Sequence, residues 1–271
     1  MTTLGKTLIS TILSIFLLGA VAGPVEASPR LIVTSDTILS GMIASLLPAS
    51  RYTVEAILPP GQCPGHYDMK ISDIEKAKRA ELIVAFRGMP FLNKALPKGQ
   101  ALLLVDAAGR NWMAPESHIH GLERLSGELA RRFPEDENLI ARRRQEAILL
   151  VRQSALRLLE KARRAGIAGK TVMASDRQKE LLAWMGLTVV GTYGRPESLS
   201  TRDVVRLSQL GRERRVVAVI DNLQSGPHAG KGIAEAVGAA HVALTGFPAE
   251  GGYLAALEQN VDAVLAAMVG R

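Results

Sequence analysis

The sequence predicts an α/β protein in which two βα lobes with parallel sheets are joined by a single long, rigid backbone helix. Three observations carry this prediction. Short apolar, β-branched runs alternate with helical patterns in both halves of the chain, as parallel sheets require. Residues 135–165 contain neither glycine nor proline and place Leu139, Ile140, Ala147, Val151, Ala155, Leu158 and Ala162 at three-, four- and sevenfold spacings, so they form one amphipathic helix. At about 1.5 Å per residue that helix is roughly 45 Å long, enough to run beside two lobes. The length of 271 residues suits two lobes of ordinary size.

The elements follow in order. Lys6 precedes an apolar stretch from Leu8 to Ala22, and Gly23 and Pro24 then break it. Val25 and Ala27 stand at −3 and −1 before Ser28, the pattern of a signal-peptide cleavage site. The apolar core is short for a membrane span, which needs about 20 residues. Residues 1–27 are therefore expected to be a cleaved signal peptide. The first lobe would cover 28–133, the linking helix 134–166 and the second lobe 167–271. No cysteine sits at the cleavage point to take a lipid, and no later segment is apolar enough to cross a membrane.

In the first lobe, strands are expected at Leu31–Ser35, Tyr52–Leu58, Glu81–Phe86 and Ala101–Val105. Asp36 or Ser35 can cap a helix running to about Leu47, Ser72 opens a short helix, and Pro115 suits the first turn of one ending near Arg132. Pro59, Pro60, Gly61 and Pro64 make the intervening segment a loop. In the second lobe, strands are expected at Thr171–Ala174, Leu187–Gly191, Val216–Ile220 and His241–Thr245. Helices fall near 177–185, 201–211, 229–238 and Glu250–Met268. No internal repeat is evident.

Composition narrows the function. Hydrophobic residues make up 47% and charged residues 22%, which is globular rather than disordered. A single cysteine excludes an intramolecular disulfide and any multi-cysteine metal site within one chain, and five histidines leave room for a sparse metal site. Aromatics at 4% argue against a stacking platform for sugars or single strands. The net charge is +7, and residues 131–165 hold ten Arg or Lys against five Asp or Glu. Interspersed acids and the lack of aromatics over 135–165 make this the solvated face of the linking helix rather than a nucleic-acid patch. No Gly-x-Ser-x-Gly elbow, His-Glu-x-x-His, Walker-type phosphate loop or dinucleotide fingerprint occurs, so enzyme chemistry is not expected.

Four segments carry a resemblance: Ile57–Gly61 followed by Gly65, His66, Tyr67, Asp68, Ser72 and Asp73; Asn111–Glu116; Trp184–Gly191; and Gly252–Leu254 with Gln259–Asp262. In this order the chain resembles the metal-binding solute receptors of bacterial ABC importers, the zinc and manganese cluster. The resemblance covers nearly the whole chain after residue 27. It implies a monomeric periplasmic receptor that holds a divalent transition metal, zinc or manganese, or a metal complex, between two lobes and delivers it to an ABC permease in the inner membrane. Such a protein neither spans the membrane nor binds nucleic acid.

The resemblance implies three histidine ligands and a carboxylate, and this sequence departs from that set. His66 matches the first ligand position. Arg110 occupies the second, Ser175 with Asp176 next to it the third, and Leu244, Thr245 and Gly246 fall at the fourth. The family's His-rich loop is absent. A closed zinc site needs about four N, O or S ligands. His66 offers a nitrogen. Cys63 and Asp68 on the same loop can add a thiolate and an oxygen, the thiolate favouring zinc or copper. Asp176 and Asp221 sit where strands end, and either replaces a missing carboxylate or caps a helix. Arg110 cannot ligate a metal, and it suits a carboxylate, an oxyanion or an anionic metal chelate. His118 and His120 lie two apart and share no helix face, so they are poor as a pair.

Overall fold

The computed structural model describes residues 28–92 and 99–268, so the signal peptide expected at 1–27 lies outside the described residues. The first lobe contains β1 (Arg30–Thr34), α1 (Thr37–Leu46), β2 (Tyr52–Ala56), α2 (Ile71–Arg79), β3 (Leu82–Phe86), β4 (Leu102–Val105) and α3 (Pro115–Arg132). A short 3₁₀ turn at Pro134–Asp136 leads into α4 (Glu137–Arg164). The second lobe contains β5 (Thr171–Ser175), α5 (Lys179–Trp184), β6 (Thr188–Tyr193), α6 (Thr201–Glu213), β7 (Ala218–Asn222), α7 (Lys231–Val237), β8 (Ala240–Leu244) and α8 (Gly252–Met268).

Both sheets have four parallel strands in the same spatial order. The first runs β2-β1-β3-β4 and the second β6-β5-β7-β8. Each therefore reverses direction between its two central strands, and the crevice at the carboxyl ends of the strands beside that reversal is where parallel α/β sheets bind ligands. This shared topology was invisible as a sequence repeat, because one topology admits many apolar sequences. The central strands read as unbroken apolar runs, and Leu82–Ala85 and Val172–Ala174 are all buried. Burial on both faces removes the alternation expected of a half-exposed strand.

The strand ends differ from expectation in one place that matters. β6 runs on to Tyr193 rather than stopping at Gly191, because a register shift between Val172 and Met173 lets the two strands stay paired to their ends. The loop at Gly194–Ser198 is thereby carried to the carboxyl edge of the second sheet.

The helix α4 has 28 residues, or about 42 Å of length. Its buried stripe is Ile140, Val151, Ala155, Leu158 and Ala162, and it packs on α1 and α3 of the first lobe and on α8. Its start is anchored by buried Asp136, which accepts a hydrogen bond from Tyr52 Oη at 2.7 Å and pairs with Arg51. Toward its far end, Arg157 reaches Glu258 at 2.8 Å and Lys161 reaches Asp262 at 2.5 Å, tying it to α8. These outer pairs are exposed and screened, so burial rather than charge holds the helix.

Leu158 is fully buried at the centre of this stripe. Leu158→Ala removes its packing and leaves a cavity, and should cost about 2–5 kcal/mol. Urea unfolding followed by far-UV circular dichroism measures this as a lower midpoint at unchanged slope.

Candidate metal-cargo site in the cleft

The loop after β2 brings His66 to the first lobe's carboxyl edge. Its neighbour Tyr67 is the anchor: the ring is buried, packs edge-on against Phe91 with centroids 5.4 Å apart, and donates from Oη to Asp73 Oδ2 at 2.6 Å. Asp73 in turn accepts the Lys70 N–H at 2.9 Å, at the start of α2. Burial and the neighbouring Asp73 carboxylate push the Tyr67 hydroxyl up to about 12, so it stays protonated as a donor. The His66 N–H closes a turn on the Cys63 carbonyl at 3.1 Å. With Tyr67 pinned inward, the adjacent imidazole points outward.

Across from it, the loops after β5 and β6 complete a cleft of about 470 Å³ lined by His66, Asp176, Arg177, Gly194, Arg195, Glu197 and Ser198. His66 Nε2 stands 3.9 Å from Glu197 Oε1, so a nitrogen of one lobe and a carboxylate of the other converge. Asp176 lies beside Arg177, Oδ1 to Nε at 3.9 Å. The Arg195 guanidinium lies against the backbone of the loop carrying His66: a Cβ at Gly65 would fall 2.5 Å from Arg195 Nη1. A side chain at 65 would force that guanidinium to shift.

The lobes also touch directly. Glu180 on α5 accepts the Asn111 N–H at 2.5 Å and the Ser117 hydroxyl, and the Asn111 side chain donates to the Arg177 carbonyl at 2.8 Å. These bonds run from the loop preceding α3 and the first turn of α3 to the segment opening the second lobe, so they hold the cleft in its present width.

The residues singled out from sequence are distributed unevenly. His66 and Asp176 line the cleft. Cys63 and Asp68 share the His66 loop and are not among its lining residues. Ser175 is buried and its hydroxyl turns to Asp176 Oδ1 at 3.4 Å. Asp221 is fully buried inside the second lobe, where it accepts from Tyr193 Oη at 2.7 Å and from the Gly230 N–H at 3.0 Å, and meets His241 Nε2 at 2.7 Å. With its oxygens taken, Asp221 organises the β7–α7 turn instead of facing the cleft. Arg110 is exposed, outside the cleft lining and one residue before the inter-lobe contact at Asn111. Thr245 is locked in a neutral network with Gln224, Phe247 and Asn260, so the fourth ligand position offers no carboxylate.

Sequence reasoning missed Arg177, Arg195 and Glu197. The signal was present: Arg195–Ser198 follow a strand of a parallel sheet directly, the position where ligand loops fall. Ending β6 at Gly191 hid it. Among the described residues, no three His, Cys, Asp or Glu side chains converge as a metal cluster.

His118 has a structural part. It is buried, its ring stacks on Tyr253 with centroids 3.5 Å apart, and Nδ1 lies 3.2 Å from the Trp112 carbonyl, which makes Nδ1 the protonated nitrogen. Tyr253 Oη also donates to the Met113 carbonyl at 3.2 Å. The last helix is thereby stitched to the first lobe.

Two lobes of parallel sheet, one long connecting helix and ligand-facing loops from both lobes define a two-lobed solute receptor. The chain matches, over residues 32–267, the model of the family described as zinc-uptake complex component A, periplasmic, and it belongs to that family. No curated protein sequence matches it. Among solved structures it is similar to a Mn-bound periplasmic metal-binding protein from Candidatus Liberibacter asiaticus. That match has 14% identity and a TM-score of 0.74, and it covers 88% of this chain and 99% of the other. It is also similar to the solute-binding protein FpvC of P. aeruginosa in complex with Ni²⁺, at 14% identity and a TM-score of 0.72, covering 89% and 97%. A third is the laminin-binding protein Lmb of Streptococcus agalactiae, at 17% identity and a TM-score of 0.72, covering 89% and 99%. At these identities the likeness shows the fold. It bears out the α/β two-lobe expectation.

Burial pushes the His118 imidazole down to about 3, only partly opposed by the Trp112 carbonyl. A histidine whose folded value is depressed contributes stability that is present above its ordinary value of 6.5 and is lost as pH falls from there toward 3. Buried Asp36 runs the other way: burial raises it from 3.8 to about 6 against hydrogen bonds from Ser35, Leu39 and Ile38, so it favours the fold at lower pH. Denaturation midpoints of wild type and His118→Gln, measured from pH 7 to 4, separate the two. Asp36 is common to both proteins, so the wild-type advantage should shrink steadily below pH 6.5.

Proposed function

We propose that the protein is the capture receptor of an ABC importer for a divalent transition metal, exported by a cleaved signal peptide at residues 1–27 and acting as a monomer in the periplasm. It docks on a permease in the inner membrane and carries out no chemistry on its cargo. Among the described residues no helix is long and apolar enough to cross a membrane. One observation carries the reading: His66 of one lobe and Glu197 of the other meet across the cleft at 3.9 Å. A metal held by both would bridge the lobes and stabilise the closed arrangement that a permease can distinguish from the empty one.

The donors fit a metal in kind but fall short in number. An imidazole and a carboxylate suit zinc, manganese or nickel, and Asp176 adds a second oxygen at the rim. A zinc site closed by protein alone needs about four ligands. The remaining positions must come from the cargo or from water.

Elemental analysis of protein isolated from its native periplasm tests this. Wild type should carry a transition metal near one equivalent, and His66→Ala should fall to background while keeping its thermal midpoint. Metal that survives His66→Ala places the site elsewhere. Wild type devoid of metal removes the receptor reading.

A further inference from the structure

Three features of the cleft do not suit a bare cation. Its volume of about 470 Å³ lies in the range of small organic ligands, roughly 300–1,000 Å³, and far exceeds a single ion. The protein brings two donors into contact range, His66 and Glu197, and no cluster of three forms among the described residues. The lining also contains two guanidiniums. Arg177 leans on Asp176, whereas Arg195 has no ion pair among the described residues, although it is half-buried against Gly65. A guanidinium cannot ligate a metal, and its charge repels one. A half-buried guanidinium with no ion pair among the described residues leaves its fork of donors available to an anion that the ligand supplies.

We propose that the cargo is a small anionic metal chelate, with His66 and Glu197 completing the metal's coordination and Arg195 binding a carboxylate oxygen of the chelator. This rests on the reading of the chain as a metal receptor and specifies its substrate class. The chelator supplies the ligands that Arg110, Ser175 and Thr245 no longer provide. It must leave one or two coordination positions open for the imidazole and carboxylate, and it must present an oxyanion toward the second lobe. Arg195 suits that task because its planar fork pairs with carboxylates in two parallel hydrogen bonds. It sits beside Gly65, one residue from the metal-binding imidazole, so chelator and metal are read together. Arg195 is then a specificity-determining residue: it rejects the hydrated ion and admits the complex.

Nickel nitrilotriacetate is a suitable probe, since the chelator carries three carboxylates and leaves two positions on the metal free. Isothermal titration of the untagged mature protein would compare nickel alone, nitrilotriacetate alone and the complex. The complex should bind at least tenfold more tightly than nickel alone, and nitrilotriacetate alone should not bind. His66→Ala should abolish binding of the complex, which separates the site from surface histidines. Arg195→Ala should weaken the complex at least tenfold, bind nickel alone more tightly than wild type does, and keep the thermal midpoint. Arg195→Lys should restore part of the loss. Nickel binding as tightly as the complex, or Arg195→Ala binding the complex at wild-type strength, would overturn the chelate proposal while leaving the metal receptor intact. Binding of neither nickel nor complex would sink both.

Discussion

A single helix, α4, sets the distance on which everything else in this molecule depends. Its stripe from Ile140 to Ala162 is buried against α1, α3 and α8, so it cannot bend or slide without exposing apolar surface that both lobes require. Two small parallel sheets would otherwise meet through a flexible linker, and the cleft between them would have no defined width. Asp136 fixes one end of the helix to the first lobe, and the α8 contacts fix the other. With that strut in place, small movements of loops suffice to grip or release a ligand.

The second constraint is polar. Glu180 takes two donors from the first lobe, and His118 and Tyr253 stack to hold the last helix against it. The cleft sits among these contacts, and its chemistry reflects what has been substituted. Where the resemblance implies a carboxylate, Thr245 closes a neutral amide network with Gln224 and Asn260. Where it implies a histidine, Ser175 is buried and bonded to its neighbour. Asp221, which might have compensated, is consumed by Tyr193, Gly230 and His241. The residues that do face the cleft are an imidazole, carboxylates and guanidiniums. That mixture matches a ligand that is itself both cationic and anionic better than it matches an ion.

Much of the fold was legible because its signals are local and one-dimensional. The 3.6-residue period of α4 and the unbroken apolar runs of β3 and β5 follow from which faces must be buried. The turn chemistry at Pro59–Gly61 and the Asp36 cap, whose carboxylate accepts from the Ile38 and Leu39 N–H groups, are likewise local. The site was legible in its anchor and opaque in its partners. His66 stands in a recognisable loop, and Tyr67 and Asp73 around it explain why. Arg195 and Glu197 were overlooked because β6 runs two residues farther than its apolar pattern, and a strand's end is decided by pairing with its neighbour.

The sequence by itself determined the two-lobed α/β class and the long strut between the lobes, and it singled out His66, which the structure places in the cleft lining. Each of these is written in periodicity, in missing helix breakers, or in a short contiguous motif. Tertiary structure alone decided which charged groups meet that histidine. Asp221 and Asp176 look alike in the sequence, both at the ends of parallel strands. One is buried under three hydrogen-bonding partners and the other stands exposed at the rim. The difference arises from residues far away along the chain, and no local pattern encodes which side chains packing will bring to a carboxylate.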